Sequence, residues 1–315
     1  MRLGFLYAGQ GSQHPGMGAD LYGAYPAFRA VLDRADVDFD LKEVCFTDSR
    51  NLINQTRYTQ PCMVAFAAGL TAVLLERGVI PSVAAGLSLG EYSALHAAGV
   101  FDARTAIRTA AFRGQAMERA AQGIESGMTA VLGLDRAALE EACGEASSLG
   151  VVAVANYNCP GQLVIGGEKA AVEKAAALAK EKGARRCVPL KVSGPFHTSL
   201  MAPAGTALES YFKTVSFAGP AIPVIFNCLG RPKGPDGSIS ELLVRQVQSS
   251  VYMEDSIRAM AEMGVDGILE IGPGTALSGF VRRTVPEMPV YAVETVPDVE
   301  RLPEWLAALD KEERP

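Results

Sequence analysis

Apolar and polar positions follow two alternating periods along the first 120 or so residues. Leu3 to Ala8 is a short apolar run ending in glycine, and Ser82 to Leu87 repeats that buried-strand pattern. Between and after them, Pro61 to Arg77 has helical spacing, Glu91 to Ala98 opens another helix, and a further helix is expected over Ala103 to Ala121. Strands alternating with helices imply a parallel sheet covered on both faces. Gln122-Gly123-Ile124-Glu125-Ser126-Gly127 then reads as a hinge.

Beyond the hinge the order changes. Met128 to Leu132 reads as a strand, Arg136 to Glu145 as a helix, Val151 to Ala155 and Gln162 to Ile165 as strands joined through Asn158-Cys159-Pro160-Gly161, Lys169 to Lys182 as a helix, and Arg185 to Leu190 as a strand. That is β-α-β-β-α-β, the ferredoxin-like arrangement, within about 65 residues. After Ser193 the alternation resumes, with strands expected at Val224 to Phe226, Gly267 to Ile271 and Val290 to Val293. The expected fold is therefore α/β. A discontinuous parallel-sheet domain (1–123 and 194–315) carries an inserted ferredoxin-like domain (124–193), with a cleft expected between them.

The 315 residues are 49 % hydrophobic and 20 % charged, which excludes disorder and a fibrous repeat. A net charge of −6 without a Lys/Arg block argues against a nucleic-acid partner. The apolar start is too short for a signal peptide, and no run is read as reaching the roughly 18 apolar residues of a membrane span, so a cytoplasmic protein without a membrane partner is expected. The six cysteines are scattered singly, without metal-ligand or disulfide spacing. No metal is expected.

Gly86-Leu87-Ser88-Leu89-Gly90 fits G-x-S-x-G between an apolar strand and a helix, the context that motif requires. A glycine-rich chain produces bare matches by chance, and the strand-turn-helix setting is what favours a nucleophile. A sharp turn strains the serine backbone and leaves no room for side chains two residues to either side, while the following helix N-terminus favours an oxyanion. Ser88 is the candidate nucleophile, and it needs a base.

Three histidines are available: His14, His96 and His197. His96 lies eight residues after Ser88 on one helix, about 12 Å along its axis and out of hydrogen-bond reach, and is expected to be a helix histidine near the surface. His14 follows the glycine-rich loop and reads as a solvated loop residue. His197, in Ser193-Gly194-Pro195-Phe196-His197-Thr198 at the return from the insert, is the candidate base by elimination.

Seven motifs occur in order: Gly9-Gln10-Gly11-Ser12-Gln13 with Gly16-Met17-Gly18; Gln60-Pro61; Gly86 to Tyr92; Arg113-Gly114; Asn156 to Gln162; Gly194-Pro195-Phe196-His197; and Glu270-Ile271-Gly272-Pro273-Gly274. Over residues 3 to 293 the chain resembles malonyl-CoA:acyl carrier protein transacylases of type II fatty acid synthesis, a family that includes polyketide synthase acyltransferase domains. Such relatives share a large hydrolase-like parallel-sheet domain with a ferredoxin-like insert. The resemblance implies that Ser88 is acylated by malonyl, that His197 is general base and acid, and that the Gln246 backbone carbonyl orients His197 in place of a triad aspartate. It also implies an oxyanion hole made by the Gln10 and Leu89 amides, an Arg113 that holds the malonyl carboxylate, and a pocket lined by Met117, Asn156 and Phe196. A phenylalanine at 196 goes with malonyl over α-methylated units. Glycine at 9 and 11 lets the main chain approach the acyl oxygen, and the segment is not a dinucleotide fingerprint.

The same resemblance implies malonyl-CoA, CoA and acyl carrier protein as partners, no permanently bound cofactor and a monomer. Carrier proteins are usually acidic while this chain is negative, so Lys180, Lys182, Arg185 and Arg186 form a candidate docking patch, set against the ordinary reading of a solvated Lys/Glu-rich helix. Leu87 stands where relatives usually have histidine, which removes any assisting polar group there, and Ala8 replaces a frequent proline. Other readings stay open at this point: a stand-alone polyketide acyltransferase, a thioester-cleaving serine hydrolase, and a non-catalytic scaffold.

Overall fold

The computed structural model describes residues 1–235 and 237–312. By their contacts the residues group into two compact units. The first comprises Met1–Gly114, Ser216–Ile225 and the chain from Ile257 onward; the second comprises Gln115–Val215 and Phe226–Ser256.

In the first unit, β1 (Leu3–Tyr7) and β2 (Pro81–Gly86) lie in one parallel sheet. In the second, the strands are β3 (Ser126–Leu132), β4 (Val152–Cys159), β5 (Gln162–Glu168) and β6 (Arg186–Pro189). A two-residue pair follows, β7 (Ile225–Phe226) and β8 (Arg231–Pro232), and then the short β9 (Val251–Tyr252). The chain closes with β10 (Gly267–Ile271) and β11 (Val290–Val293), which give the first unit's sheet the order β11-β10-β1-β2. Every residue of β1 and β10 is buried, as expected of parallel strands covered on both faces.

The helix expected from Pro61 instead spans Thr56–Glu76, with Pro61 inside it. Proline there removes a backbone bond at a cost of about 3 kcal/mol. Burial of Cys62, Met63, Phe66, Leu70 and Leu74, at about 1.5–3 kcal/mol for each large side chain, outweighs that loss. This helix also corrects the reading that no segment is long and apolar enough to cross a membrane: it qualifies, but 83 % of its most apolar window is buried inside the fold, the signature of a core helix.

Val224 to Phe226 is not a full strand of the parallel sheet. Only Val224 bridges to it, at Ala84, and Ile225–Phe226 pairs with β8. In the second unit the sheet order β6-β3-β5-β4 is that of a ferredoxin-like βαββαβ, antiparallel throughout. β4 extends to Cys159, past the expected end at Ala155, and register irregularities after Val154 and after Tyr157 accommodate the extra length. The hairpin turn is only Pro160-Gly161, with Gly161 at φ 71°. The expected hinge shortens, because β3 already begins at Ser126.

A feature absent from the sequence reading is β9, which adds in parallel to β4. Arg136 holds this segment in place, donating to both Asp255 oxygens at 3.2 and 2.7 Å, pairing with Glu254 at 3.0 Å and lying over the Tyr157 ring. Tyr157 in turn stacks on Tyr252 with centroids 5.0 Å apart. These contacts, together with the packing of the helix Ile239–Val247 on the helix Ala202–Phe212, tie Phe226–Ser256 to the second unit. Val131, Leu139, Leu163, Ile165 and Val172 form the core beneath that sheet.

Candidate active site

In the parallel sheet, β10, β1 and β2 are neighbours, and the glycine-rich loop (9–13), the serine elbow (86–90) and the Gly272–Gly274 loop all follow their C-terminal ends. Ligand sites of open parallel sheets form at this edge. Leu87 N donates to Tyr7 O at 3.0 Å, which turns the chain sharply after β2. Ser88 takes a left-handed φ of 53°, a conformation L-residues adopt at a cost of about 1–2 kcal/mol. A Cβ at Gly86 would collide with the Gly90 backbone, and one at Gly90 with Tyr7 O, so both glycines are sterically required. Leu89 caps the helix Gly90–Ala97.

Arg113, on the helix Ala103–Ala121, is 1 % exposed. Its Nη2 donates to Ser88 Oγ at 3.1 Å and its Nη1 to Gln60 Oε1 at 3.0 Å, while the guanidinium lies 5.3 Å from the Tyr92 ring centre. Gln60 Nε2 reaches Gln10 Oε1 at 3.4 Å, and Gln10 Nε2 donates to Thr56 Oγ1 at 3.1 Å. A buried cation is thus aimed at the serine hydroxyl by a chain of amides and an aromatic face. Burial pulls its pKa below the ordinary arginine value, yet a guanidinium keeps its charge near neutral pH. Gln60 and Tyr92 had no role in the sequence reading, although both stand within its motifs. The signal for Gln60 was its place beside Pro61 in a buried helix.

Among the described residues, the backbone amides of Gln10 and Leu89 donate to no protein acceptor. Leu87 is partly buried and lines a cavity of about 390 Å³ with Gly9, Gln10, Ser12 and Glu270. Glu270 is a fully buried carboxylate that accepts from Leu277 N at 2.9 Å and Ser278 N at 2.7 Å. It caps the helix Ala276–Thr284.

The remaining candidates lie in the second unit. His197 is 4 % exposed, has φ 61°, and places Nδ1 2.9 Å from Gln246 O. With Nδ1–H donating to that carbonyl, the lone pair of a neutral imidazole resides on Nε2. Thr198 Oγ1 donates to Pro195 O at 2.6 Å and fixes the turn that presents the ring. Phe196 is buried against Gly194, where a Cβ would meet the Ala121 side chain and crowd the Phe196 ring. Met117 is buried one turn after Arg113. Asn156 is partly buried within β4 and pairs with Val164 and Val251.

The other two histidines lie in the expected settings, each with a partner that the sequence does not show. His96 lies on the helix Gly90–Ala97 and is half-buried, with Nδ1 3.0 Å from Phe101 O, and burial pulls its pKa down. His14 is exposed but not merely solvated: its Nε2 meets Glu294 Oε1 at 2.6 Å. In the basic patch, Lys182 bonds Glu141 at 2.9 Å and Glu145 at 2.8 Å, so its charge is already matched. Lys180, Arg185 and Arg186 remain exposed.

The profile of the acyl transferase domain family matches residues 4–310. The chain is 38 % identical over 302 residues to a malonyl CoA-acyl carrier protein transacylase of Bacillus subtilis, covering 95 % of each protein. Its fold superimposes on the crystal structure of a malonyl CoA-acyl carrier protein transacylase from Clostridium perfringens with a TM-score of 0.95, 37 % identity and full coverage of both chains. A malonyl-transacylase solved in complex with its type II PKS acyl-carrier protein matches at TM-score 0.92 and 36 % identity, over 96 % of this chain and 99 % of that one. With a serine elbow at a parallel-sheet edge, a ferredoxin-like sheet and agreement over almost its whole length, this chain belongs to the acyl transferase domain family.

Proposed function

We propose that this protein is a cytoplasmic malonyl-CoA:acyl carrier protein transacylase serving fatty acid synthesis. It moves malonyl from CoA to a phosphopantetheine thiol through an ester on Ser88. The observation that carries this reading is the buried Arg113 guanidinium on Ser88 Oγ, because a serine hydrolase has no need of a fixed cation beside its nucleophile. That position suits the free carboxylate of a malonyl group, which a planar guanidinium holds through two parallel hydrogen bonds.

In the proposed cycle, Ser88 Oγ attacks the thioester carbonyl while His197 Nε2 takes its proton. The oxyanion is held by the Gln10 and Leu89 amides, the C–S bond breaks, and the imidazolium returns the proton to the CoA thiolate. The carrier thiol then gives its proton to His197, attacks the Ser88 ester, and the ester C–O bond breaks as Ser88 is reprotonated. The Gln246 carbonyl holds Nδ1–H throughout, which keeps Nε2 as the basic atom. Phe196, Met117 and Asn156 shape the acyl pocket, and Phe196 favours an unbranched malonyl.

The domain division 1–123 and 194–315 around 124–193 belongs to the same proposal, as do the monomeric state and an acidic carrier protein docking at Lys180, Arg185 and Arg186. Service to a polyketide pathway is the second reading, favoured by the related transacylase solved with a type II PKS carrier protein. The test is incubation of the enzyme with malonyl-CoA or acetyl-CoA followed by transfer to purified carrier proteins of both kinds. Malonyl transfer with little acetyl transfer supports the proposal, and loss of the thioester to water without transfer contradicts it.

A further inference from the structure

Glu294 stands just past β11 and joins two loops that follow other strands. Its Oε1 lies 2.6 Å from His14 Nε2, and its Oε2 accepts from Gly274 N at 2.9 Å. At the other end of the glycine-rich loop, Ala8 N donates to Ile271 O at 3.0 Å, and Gly272 comes so close to Ala8 that a Cβ would collide with it. Within the loop, Ser12 Oγ donates to Gly9 O at 3.1 Å and Gly11 N to Gln13 Oε1 at 2.7 Å. The 390 Å³ pocket, partly open to solvent, is lined on one side by Gly9, Gln10, Gly11 and Ser12. Side chains pin the loop on the helix side, Gln10 Nε2 donating to Thr56 Oγ1 at 3.1 Å and Gln13 Nε2 to Asn54 Oδ1 at 2.9 Å, while on the side of β10 and β11 its position depends on the tethers at Ala8 and His14.

Both ring nitrogens of His14 face oxygen acceptors, Nδ1 at 3.0 Å from Pro15 O and Nε2 on Glu294. A neutral imidazole has one N–H and can satisfy only one of them, whereas imidazolium satisfies both. We infer that Glu294, through His14 and the Gly274 amide, is a positioning residue that holds the Gly9–Gln13 loop, and with it the Gln10 amide, in place for transfer at Ser88. The hold weakens when His14 loses its proton. This rests on the proposed role of Gln10.

The Glu294 hydrogen bond, the largest cause, raises the His14 pKa above its ordinary 6.5. The tether is therefore complete below pH 6.5 and is lost as pH rises through the raised value. Two further carboxylates bind this turn: Asp298 accepts from Glu294 N and Thr295 N, and Asp20 from Val296 N. The pair is partly exposed, with side chains 50 % and 23 % accessible, so its strength is that of a surface ion pair with one added charge-assisted bond.

The test measures wild type, Glu294→Gln, Glu294→Ala and His14→Lys in two ways. An NMR titration of His14, with amide exchange of residues 10–13, reads the tether without reference to turnover. The pH profile of Ser88 acylation by malonyl-CoA, followed by quenched intact mass, reads its consequence. Expected results are faster exchange at residues 10–13 in Glu294→Ala and a 3- to 10-fold slower acylation, below the roughly 10²–10³ of deleting an oxyanion donor outright. The alkaline limb of the profile moves about half a pH unit or more to acid in Glu294→Gln and disappears to higher pH in His14→Lys. Unchanged exchange in Glu294→Ala, or an alkaline limb that stays put in both charge variants, overturns the inference. A wild type that is never acylated would instead remove the transacylase reading, while the exchange data still decide whether the tether exists.

Discussion

Ser88 Oγ accepts a 3.1 Å hydrogen bond from Arg113 Nη2, and both residues belong to the parallel-sheet unit. The nucleophile and the group proposed to choose its substrate are thus positioned by one sheet edge and one helix. Arg113→Ala should lower kcat/KM for malonyl-CoA by about 10²-fold, the loss expected for one bidentate charged pair, while acetyl-CoA is affected far less. Parallel rates with both thioesters check it, and a retained malonyl preference would remove Arg113 from that role.

His197→Ala should reduce acyl transfer by about 10²–10⁴-fold, the usual range for loss of a general base. Gln246→Ala should cost less than a tenth of that, because the acceptor for Nδ1 is the backbone carbonyl, which the substitution keeps. Comparison of the two at matched folded fraction reads the difference.

The elbow serine carries backbone strain, and glycine takes a left-handed φ without it. Ser88→Gly and Ser88→Ala should both lack activity, but Ser88→Gly should be the more stable by about 0.5–1 kcal/mol, the αL cost less the added freedom of an unfolded glycine. Urea unfolding of the two variants checks this.

Burial holds the His96 pKa below its ordinary 6.5, so below that pH the unfolded chain binds a proton that the folded chain resists. This group therefore lowers stability as pH falls through 6.5 toward its folded value, and its contribution is restored above 6.5. His96→Gln, which can still donate to Phe101 O, should show a smaller stability loss between pH 7 and pH 5.5 than wild type in urea titrations.

Much of this was legible because its causes are local. Gly86, Ser88 and Gly90 announce a strained turn through their spacing alone, and β3 to β6 show the ferredoxin-like order through simple alternation. What was not legible depends on distant partners. A two-residue β9 has no periodicity, and Arg136, Tyr157 and Tyr252 place it only once folded. Pro61 reads as a helix start when burial of the surrounding turns is unknown. His14 looks like a loop residue because Glu294 is 280 positions away, and Lys182 looks free until Glu141 and Glu145 meet it across two helices. Of the proposed site, Ser88, Leu89, Gln10, Arg113 and His197 were read from motifs, whereas Gln60 and Tyr92, which aim the arginine, emerge only from the packing.

The most direct test of the central claim is intact-mass detection of the acyl-enzyme. Wild type mixed with malonyl-CoA should gain one malonyl group, lose it when holo acyl carrier protein is added, and return that mass on the carrier, while Ser88→Ala gains nothing. A malonyl adduct that persists in Ser88→Ala, or a wild type that stays unmodified while the carrier is acylated, would contradict the account.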